Sequence, residues 1–185
     1  MRHFEALHNI PPYNYHIPDP DLSPHGRTQA IATIENLKKI PSIDLVVFSP
    51  LTRALQTYLL VFNNQHHPPL IIHPDIQEVC TEPCDTGRSI NQLMIKFPNL
   101  CDQLNKMEKT FGDSEWLDKT NPESSYSPKQ IKQRAKRFLQ WLNNRPEKHI
   151  FIISHNLMLK ELIQGDSNQR FNLQNGEIRT VEYQC

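Results

Sequence analysis

Apolar residues recur every three or four positions in three segments of the chain, and each of these segments begins with Ser–Pro. The dipeptides stand at 23–24, 49–50 and 127–128. A serine can accept a hydrogen bond from a free backbone N–H of the first helical turn. Proline suits the next position because it lacks an N–H that would be unpaired there. The pattern therefore predicts three helices, each beginning directly after its serine.

Two short runs of β-branched and aromatic residues, at 44–49 and 149–154, predict strands between these helices. The apolar residues in each run are continuous, which is typical of strands that helices cover on both faces in a parallel sheet. Residues 69–74 and 179–183 are weaker strand candidates. Because strands and helices alternate along the chain, we expect a layered α/β fold.

The segment 89–126 departs from this alternation. Residues 89–111 have a helical pattern but lie outside the rhythm of strand and helix. We therefore expect one domain over 1–185, in which 89–126 forms a small cap or specificity insertion. The loop 11–20 and this segment, which includes Trp116, are the parts that we expect to shape substrate specificity.

Composition and charge narrow the class of protein. The 185 residues include 20 basic and 20 acidic side chains, so a nucleic-acid partner, which usually requires a basic excess, is not expected. We interpret the basic run at 129–137 as the solvated face of an amphipathic helix. No apolar run approaches the ~20 residues that span a bilayer, so no membrane partner is expected. Without a hydrophobic signal region, the predicted location is the cytoplasm, with the nucleus left open.

The four cysteines do not indicate a metal site. Cys80, Cys84, Cys101 and Cys185 include no Cys-x-x-Cys pair, so we expect reduced thiols rather than structural zinc. The sequence offers no obvious site for another metal, and we predict no cofactor.

Polar side chains follow three strands or strand remnants. His3 follows the start of the chain, Ser49 to Arg53 follow the first strand run, and Ser154–His155 end the second. Ligands of open α/β sheets bind beyond the carboxyl ends of the strands, and helix N-termini at two of these ends favour an anion. Arginine binds phosphate oxygens with a fixed fork of donors. No Gly-rich loop of the GxxxxGK[ST] type is present, which disfavours nucleotide binding of that kind.

Six motifs, in the right order over essentially the whole length, resemble the histidine phosphatase superfamily, the phosphoglycerate-mutase-like group. "RHFEALHN" is similar to its N-terminal Arg–His motif, and "SPLTRALQT" to the segment with its second phosphate-binding arginine. "FIISHNLMLKEL" is similar to its second histidine motif. "DPDLSPHGRTQA", "IQEVCTEPCDTGRS" and "NGEIRTVEY" resemble the entry to the first helix, the segment with the acid and the closing strand. The resemblance implies a three-layer α/β/α fold with a mostly parallel central sheet.

The resemblance also implies a set of site residues. They are the nucleophile His3, the general acid Glu78, the catalytic and phosphate-binding His155, and the phosphate-binding Arg2, Asn9 and Arg53. A histidine must be neutral to attack, and flanking arginines disfavour its charged form. The implied reaction is metal-independent hydrolysis of phosphomonoesters through a phosphohistidine. The substrate would be a phosphorylated small molecule or a phosphoprotein.

Three features depart from the family pattern. Phe4 and Asn156 stand where the family has glycine after each histidine, and phenylalanine cannot reach unusual torsions cheaply. We therefore expect the first half of the site to be reshaped or crowded. Only Met1 precedes Arg2, so either the first strand is truncated or the natural chain begins upstream. A short β-forming extension, such as four Val- or Ile-rich residues before Arg2, is expected to raise the melting temperature.

Two other functions stay open. A phosphoglycerate-type mutase would share every catalytic residue, although such mutases are usually longer and "EVCTEPCDTG" is not their form. A catalytically weak phosphate-binding or interaction module is the alternative from another class, suggested by Phe4, Asn156 and the short first strand. Turnover of a generic aryl phosphate, with and without a chelator, distinguishes the enzymes from the module.

Overall fold

A computed structural model describes residues 1–40, 42–62, 68–112, 116–122, 124–164 and 172–182. Within these ranges the chain forms three strands and six α-helices, joined by loops and short 3₁₀ turns. The helices are α1 (Pro24–Leu37), α2 (Thr52–Phe62), α3 (Ile90–Lys96), α4 (Cys101–Phe111), α5 (Ile131–Asn143) and α6 (Asn156–Gln164). The strands are β1 (Leu45–Phe48), β2 (Leu70–Ile72) and β3 (Ile150–Ile153).

The three strands form one parallel sheet in the order β2-β1-β3. Val47 of β1 lies between Ile71 on one side and Ile152 on the other. The strands predicted at 44–49, 69–74 and 149–154 are therefore confirmed. The strand predicted at 179–183 is wrong over 179–182, where the residues are exposed and form no ladder, and residue 183 lies outside the described ranges.

Both faces of the sheet are covered by helices, as the continuous apolar runs predict. Val46 and Phe48 of β1 belong to a core that includes residues of α1 and α2. Leu45 and Val47 point the other way, into a core with α5 and α6. Successive residues of a strand face opposite sides of a sheet, so a strand between two helical layers must be apolar at every position. The three-layer α/β/α fold is thus confirmed.

The first residues of the chain continue the sheet at the end of β3. Arg2 pairs with Ser154 in a single parallel bridge. The Ser154 N–H donates to the Met1 carbonyl at 3.0 Å, and the His3 N–H donates to the Ser154 carbonyl at 3.0 Å. This pairing places His3 at the carboxyl edge of the sheet.

Only one of the three Ser–Pro dipeptides caps a helix as predicted. Ser23 Oγ accepts from the Gly26 N–H at 2.8 Å at the start of α1. A Cβ at Gly26 would lie 2.0 Å from the Glu5 carbonyl oxygen, so only glycine lets α1 approach the segment after His3. The second helix begins at Thr52, and a 3₁₀ turn over Pro128–Gln130 precedes α5, so the predicted starts at 50 and 128 are too early.

The segment 89–126 contains two helices rather than one. Proline disfavours helical torsions in the residue before it, and the chain breaks at Phe97, ahead of Pro98, between α3 and α4. Trp116 is 1% exposed and its side chain lies in the core. Residues 113–115 and 123 fall outside the described ranges, and the role of this segment as a cap stays a prediction. In the described part of the chain, no helix has the length and apolar character needed to cross a membrane.

Candidate active site

The polar groups predicted at the strand ends lie together at the carboxyl edge of the sheet. The His3 and His155 rings are 5.0 Å apart between centroids. Arg53, in the first turn of α2, donates from Nε to His3 Nε2 at 3.2 Å. All three side chains are at most 2% exposed. His3 and His155, which are 152 positions apart, thus belong to one compact site, because parallel strands end at the same edge.

The hydrogen bonds of His3 fix its tautomer. Its Nδ1 lies 2.6 Å from the Phe4 carbonyl oxygen, which can only accept, so Nδ1 carries the proton. Nε2 therefore keeps its lone pair, and the Arg53 N–H points at it. Burial, then the charges of Arg53 and Arg2, hold the pKa of His3 well below its usual range. The imidazole is therefore neutral, and its Nε2 lone pair faces the pocket, where it accepts from the Arg53 N–H.

His155 is held by the residue that ends the first strand run. Its Nε2 lies 2.8 Å from Ser49 Oγ, and the ring is fully buried. Ser49 Oγ also accepts from the Leu51 N–H at 3.3 Å. Burial and the charge of Arg53 lower the pKa of His155 well below its usual range. Ser49, which was expected to cap a helix, thus contacts the second histidine instead.

The Arg53 guanidinium is anchored on the side away from His3. It donates to the Cys84 carbonyl at 2.6 Å and to Asp85 Oδ1 at 2.7 Å. Asp85 is 5% exposed, so this is a buried ion pair in which the carboxylate offsets the cost of burying the guanidinium. The pair fixes the direction in which Arg53 presents its Nε–H to the pocket.

Arg2 borders the same pocket and is half-buried. Its Nη1 donates to the Leu173 carbonyl at 2.7 Å. The opposing charge of Glu78 acts to raise its pKa, whereas burial and the charge of Arg53 lower it. Burial is the largest of these effects, so the pKa of Arg2 is lowered overall. The charges of both Arg2 and Arg53 act on His3.

Glu78 faces this positive cluster from the loop after β2. Its Oε1 accepts from the Val79 N–H at 3.2 Å, and its Oε2 accepts from the Leu157 N–H at 3.3 Å in the first turn of α6. Burial, and then repulsion from Asp85, raise the pKa of the Glu78 carboxyl. A carboxyl that keeps its proton at higher pH than usual is suited to general-acid catalysis.

Two buried cations support the loop that carries Glu78. The Lys119 ammonium donates to the backbone carbonyls of Glu78, at 2.7 Å, and Asp85. Arg134 donates to the Gln77 carbonyl at 2.7 Å and is fully buried. The run 129–137 was expected to be the solvated face of a helix, but this is not true of Arg134. Its side chain points inward and binds a backbone carbonyl of the loop that carries Glu78.

Asn9 belongs to a hydrogen-bond network beside the pocket. Its Oδ1 accepts from the Ala6 N–H at 3.1 Å, and its Nδ2 lies 3.1 Å from His8 Nε2. The His8 ring lies 6.2 Å from that of His3 and is buried. Burial and the charge of Arg53 lower the pKa of His8 to about 3, so this ring is neutral too. Contact of Asn9 with phosphate stays a prediction.

Phe4 does not crowd the site as expected. Its side chain is fully buried in the main core, pointing away from the polar pocket. Its N–H donates to Thr57 Oγ1 at 3.1 Å, while its carbonyl binds His3. Gly176, with φ +81°, passes so close that a Cβ there would lie 3.1 Å from the Phe4 ring. The Asn156 side chain likewise has a protein partner, because its Oδ1 accepts from the Leu173 N–H at 3.2 Å.

Three supporting residues were not singled out in the sequence. Asp85 and Lys119 are distant from the histidine motifs, and only their charges in otherwise loop-forming stretches gave a signal. His8 lies within the first motif, "RHFEALHN", and the presence of a second histidine in that motif was a signal that could have been used. Each acts through tertiary contacts that local patterns do not show.

Comparisons with known proteins identify the family of the chain. A family model described as "Histidine phosphatase superfamily (branch 1)" matches residues 1–184. The chain belongs to this superfamily. A relative named as a probable phosphatase of Schizosaccharomyces pombe is 25% identical over 166 residues, covering 86% of this chain and 74% of that protein.

Two further proteins are similar to this chain. A phosphoglycerate mutase-like protein of Arabidopsis thaliana is 26% identical over 207 residues, covering 89% of this chain and 72% of that protein. The crystal structure of the α-ribazole phosphatase from Shigella flexneri superposes with a TM-score of 0.62. That match covers 95% of this chain and 85% of that one at 24% identity, and it shows the fold.

Proposed function

We propose that this protein is a metal-independent phosphatase that hydrolyses phosphomonoesters through a phosphohistidine on His3. The observation that carries the proposal is the tautomer of His3. Its Nδ1 proton is held by the Phe4 carbonyl, and the lone pair on Nε2 lies beside the Arg53 N–H. A neutral imidazole whose lone pair meets a cation is arranged to attack phosphorus in an anionic phosphate.

In the first step the substrate phosphate replaces His3 Nε2 as acceptor of the Arg53 N–H. Arg2, Arg53 and His155 bind the equatorial oxygens, with Asn9 nearby. Nε2 then forms a bond to phosphorus while the bond to the ester oxygen breaks, and Glu78 gives its proton to that oxygen. The products are a free alcohol and phosphohistidine.

In the second step Glu78, now ionised, takes a proton from water. The hydroxide attacks phosphorus, the bond to Nε2 breaks, and inorganic phosphate leaves with His3 and Glu78 restored. Two fixed guanidinium groups supply the positive charge that stabilises the transferring phosphoryl group. For this reason the proposal needs no metal ion, and no cluster of three or more metal-binding side chains occurs in the described part of the chain.

The test is turnover of p-nitrophenyl phosphate by the full chain, with and without EDTA. We expect turnover that EDTA does not change. Brief incubation with ³²P-labelled substrate should also label the protein with phosphate that acid releases and alkali does not. Activity that EDTA abolishes, or an unlabelled protein during turnover, would contradict the mechanism. Transfer of phosphate within phosphoglycerate, faster than its hydrolysis, would indicate the mutase instead.

A further inference from the structure

Exposed apolar side chains concentrate beside the catalytic pocket. Within the described ranges, eight large hydrophobic side chains are exposed, and four of them fall in the nine residues 7–15. They are Leu7, Ile10, Tyr13 and Tyr15, with exposed fractions of 39%, 38%, 61% and 48%. Of these four, Tyr13 and Tyr15 stack on each other. Exposed apolar side chains that lie together commonly mark a binding site, whereas isolated exposed residues need no explanation.

A series of aromatic rings connects this segment to the nucleophile. The His3 ring lies 6.2 Å from the His8 ring, which lies 6.4 Å from the Tyr15 ring. Tyr13 stacks on Tyr15 with centroids 6.3 Å apart and planes 5° apart. The rings thus extend from the buried pocket to the solvent.

Tyr15 is also tied to the charged part of the site. Its backbone carbonyl accepts from the Cys84 N–H at 3.1 Å, which fixes the segment to the residue that anchors Arg53. Tyr15 and Arg53 thus both contact the backbone of Cys84. A group bound to a phosphate held by Arg53 would therefore come near the segment that carries the Tyr15 ring.

One exposed apolar side chain also lies beside the proposed acid. Leu157 is 41% exposed, and its N–H donates to the carboxylate of Glu78. The leaving alcohol must reach Glu78 to receive its proton. Its surroundings on that side therefore include an exposed leucine.

No formal charge occurs in the segment that carries the two tyrosines. Between Glu5 and Asp19 the sequence has no Asp, Glu, Lys or Arg. The segment 6–18 therefore has no acidic side chain, lysine or arginine of its own to pair with an ammonium or carboxylate group on the alcohol. An aromatic ring, in contrast, would gain contact area and favourable stacking on tyrosine.

We propose that the pocket takes phosphomonoesters of uncharged aromatic alcohols, and that the ring of the alcohol lies on Tyr15 with Tyr13 behind it. The proposal rests on the proposed function for its catalytic part, but the ring site itself makes a claim about binding. Stacking on tyrosine accounts for a preference of up to roughly tenfold in affinity.

The first experiment measures binding without turnover. Calorimetry compares naphthylmethylphosphonate with methylphosphonate, two non-hydrolysable anions that differ only in the ring system. We expect the wild-type chain to bind the naphthyl compound about tenfold more tightly. Tyr15→Ala should remove this difference while leaving methylphosphonate affinity within about twofold, and Tyr15→Phe should retain it. Ile95→Ala, at an exposed isoleucine of α3, is the matched control and should change nothing.

The second experiment measures turnover of naphthylmethyl phosphate and glycerol phosphate, both esters of primary alcohols. We expect a lower KM for the naphthyl ester that Tyr15→Ala raises about tenfold, with kcat unchanged. Equal affinity of the two phosphonates, or equal weakening of both by Tyr15→Ala, would overturn the ring site. A Tyr15-dependent preference without hydrolysis of any ester would support the ring site and overturn the proposed enzyme.

Discussion

Two of the buried histidines that follow a strand end, His3 and His73, differ in what their ring nitrogens contact. His3 follows the bridge to β3 and is 2% exposed, and His73 follows β2 and is 1% exposed. Burial lowers the pKa of both rings, with help from Arg53 at His3 and from Arg137 at His73, where the pKa falls to about 3. Both rings are neutral, so neither burial nor charge state distinguishes them.

The tautomers of these two rings are opposite. The Asp75 N–H donates to His73 Nδ1 at 3.2 Å, so the proton of His73 is on Nε2. At His3 a backbone carbonyl takes the Nδ1 proton, which leaves the lone pair on Nε2. The His73 ring is enclosed by Phe111, Phe138 and Trp141, at centroid distances of 4.5 to 4.9 Å. A buried histidine at a strand end becomes a candidate nucleophile only when a carbonyl fixes its tautomer and a cation borders its lone pair.

The largest effect is expected from replacing His3, and the replacement of His73 is its matched control. His3→Ala should reduce phosphatase turnover by roughly 10³-fold or more and abolish the phosphoenzyme, because it removes the atom that accepts the phosphoryl group. His73→Phe replaces one aromatic ring with another inside a cluster of aromatic side chains, so it should leave turnover within about twofold. Initial rates and ³²P labelling on both variants are the measurement. Substantial turnover in a clean His3→Ala preparation would contradict the role of His3 as nucleophile.

The polar side chains around the two rings should differ in the same way. Arg53→Ala and His155→Ala should each slow turnover by roughly 10²-fold or more, because each removes a donor to the transferring phosphoryl group. Arg137, whose guanidinium pairs with Asp75 at 2.6 Å near His73, is the matched control. Arg137→Ala should leave the rate within about twofold. Near-normal rates in both site variants, with unchanged thermal melts, would mean that the pocket lies elsewhere.

The sheet and its covering helices were predictable because their signals are local. The apolar runs at 44–49 and 149–154 have no polar face, and only a strand between two helical layers requires that. The failure at 179–182 shows the limit of this signal. A short stretch with a few β-forming residues becomes a strand only if a neighbour offers it a ladder.

The charged framework of the site could be predicted only in part. His3, Arg53 and His155 follow strand ends, and the resemblance to known motifs supplied their proposed roles and that of Glu78. Asp85 and Lys119 were missed because the first binds Arg53 and the second binds backbone carbonyls, contacts that exist only after folding. If position after a strand were the only criterion, His73 would have been chosen as a site residue as readily as His155. The enclosing rings that make His73 inert come from helices distant in the sequence.

A smaller difference in rate is expected between variants of two carboxyl groups, Glu78 in the site of His3 and Asp75 beside His73. Glu78→Gln should slow hydrolysis of primary-alcohol esters by about 10²-fold and flatten the alkaline limb of the pH–rate profile, because the amide has no proton to give. Asp75→Asn, beside His73, should leave that limb in place. Rates from about pH 5 to pH 9 on both variants provide the measurement. An alkaline limb that persists in Glu78→Gln would assign the proton to another group.

The same carboxyl should change the pH dependence of stability. Because the pKa of Glu78 is raised in the folded state, the native protein keeps a proton that the unfolded chain releases near pH 4.5. Wild-type stability should therefore fall as pH rises from about 4.5 through the raised value. Glu78→Gln should melt at a higher temperature than wild type at neutral pH and lose this advantage below about pH 4.5. Thermal melts across this range check the sign.

The smallest expected effect concerns how the two histidines are held. His73 follows a three-residue strand, whereas His3 follows a single bridge between Arg2 and Ser154. In that parallel register, residues placed before Arg2 would continue alongside β3. Four Val- or Ile-rich residues should add ladder hydrogen bonds, each worth about 1 kcal/mol net. At roughly 2–4 °C per kcal/mol, the melting temperature should rise by about 5 °C.

A Gly/Ser extension of equal length is the control for this change, because it adds the same chain without the β-forming side chains. If the bridge to Ser154 limits how firmly His3 is placed, the Val/Ile extension should also raise the initial rate, by less than about threefold. The effect on the rate should be small, since the tautomer of His3 is fixed by Phe4 rather than by the strand. The measurement is the melting temperature and the initial rate of both extended chains under the same conditions. Equal melting temperatures for both extensions would show that β3 does not accept a longer neighbour on the side of His3.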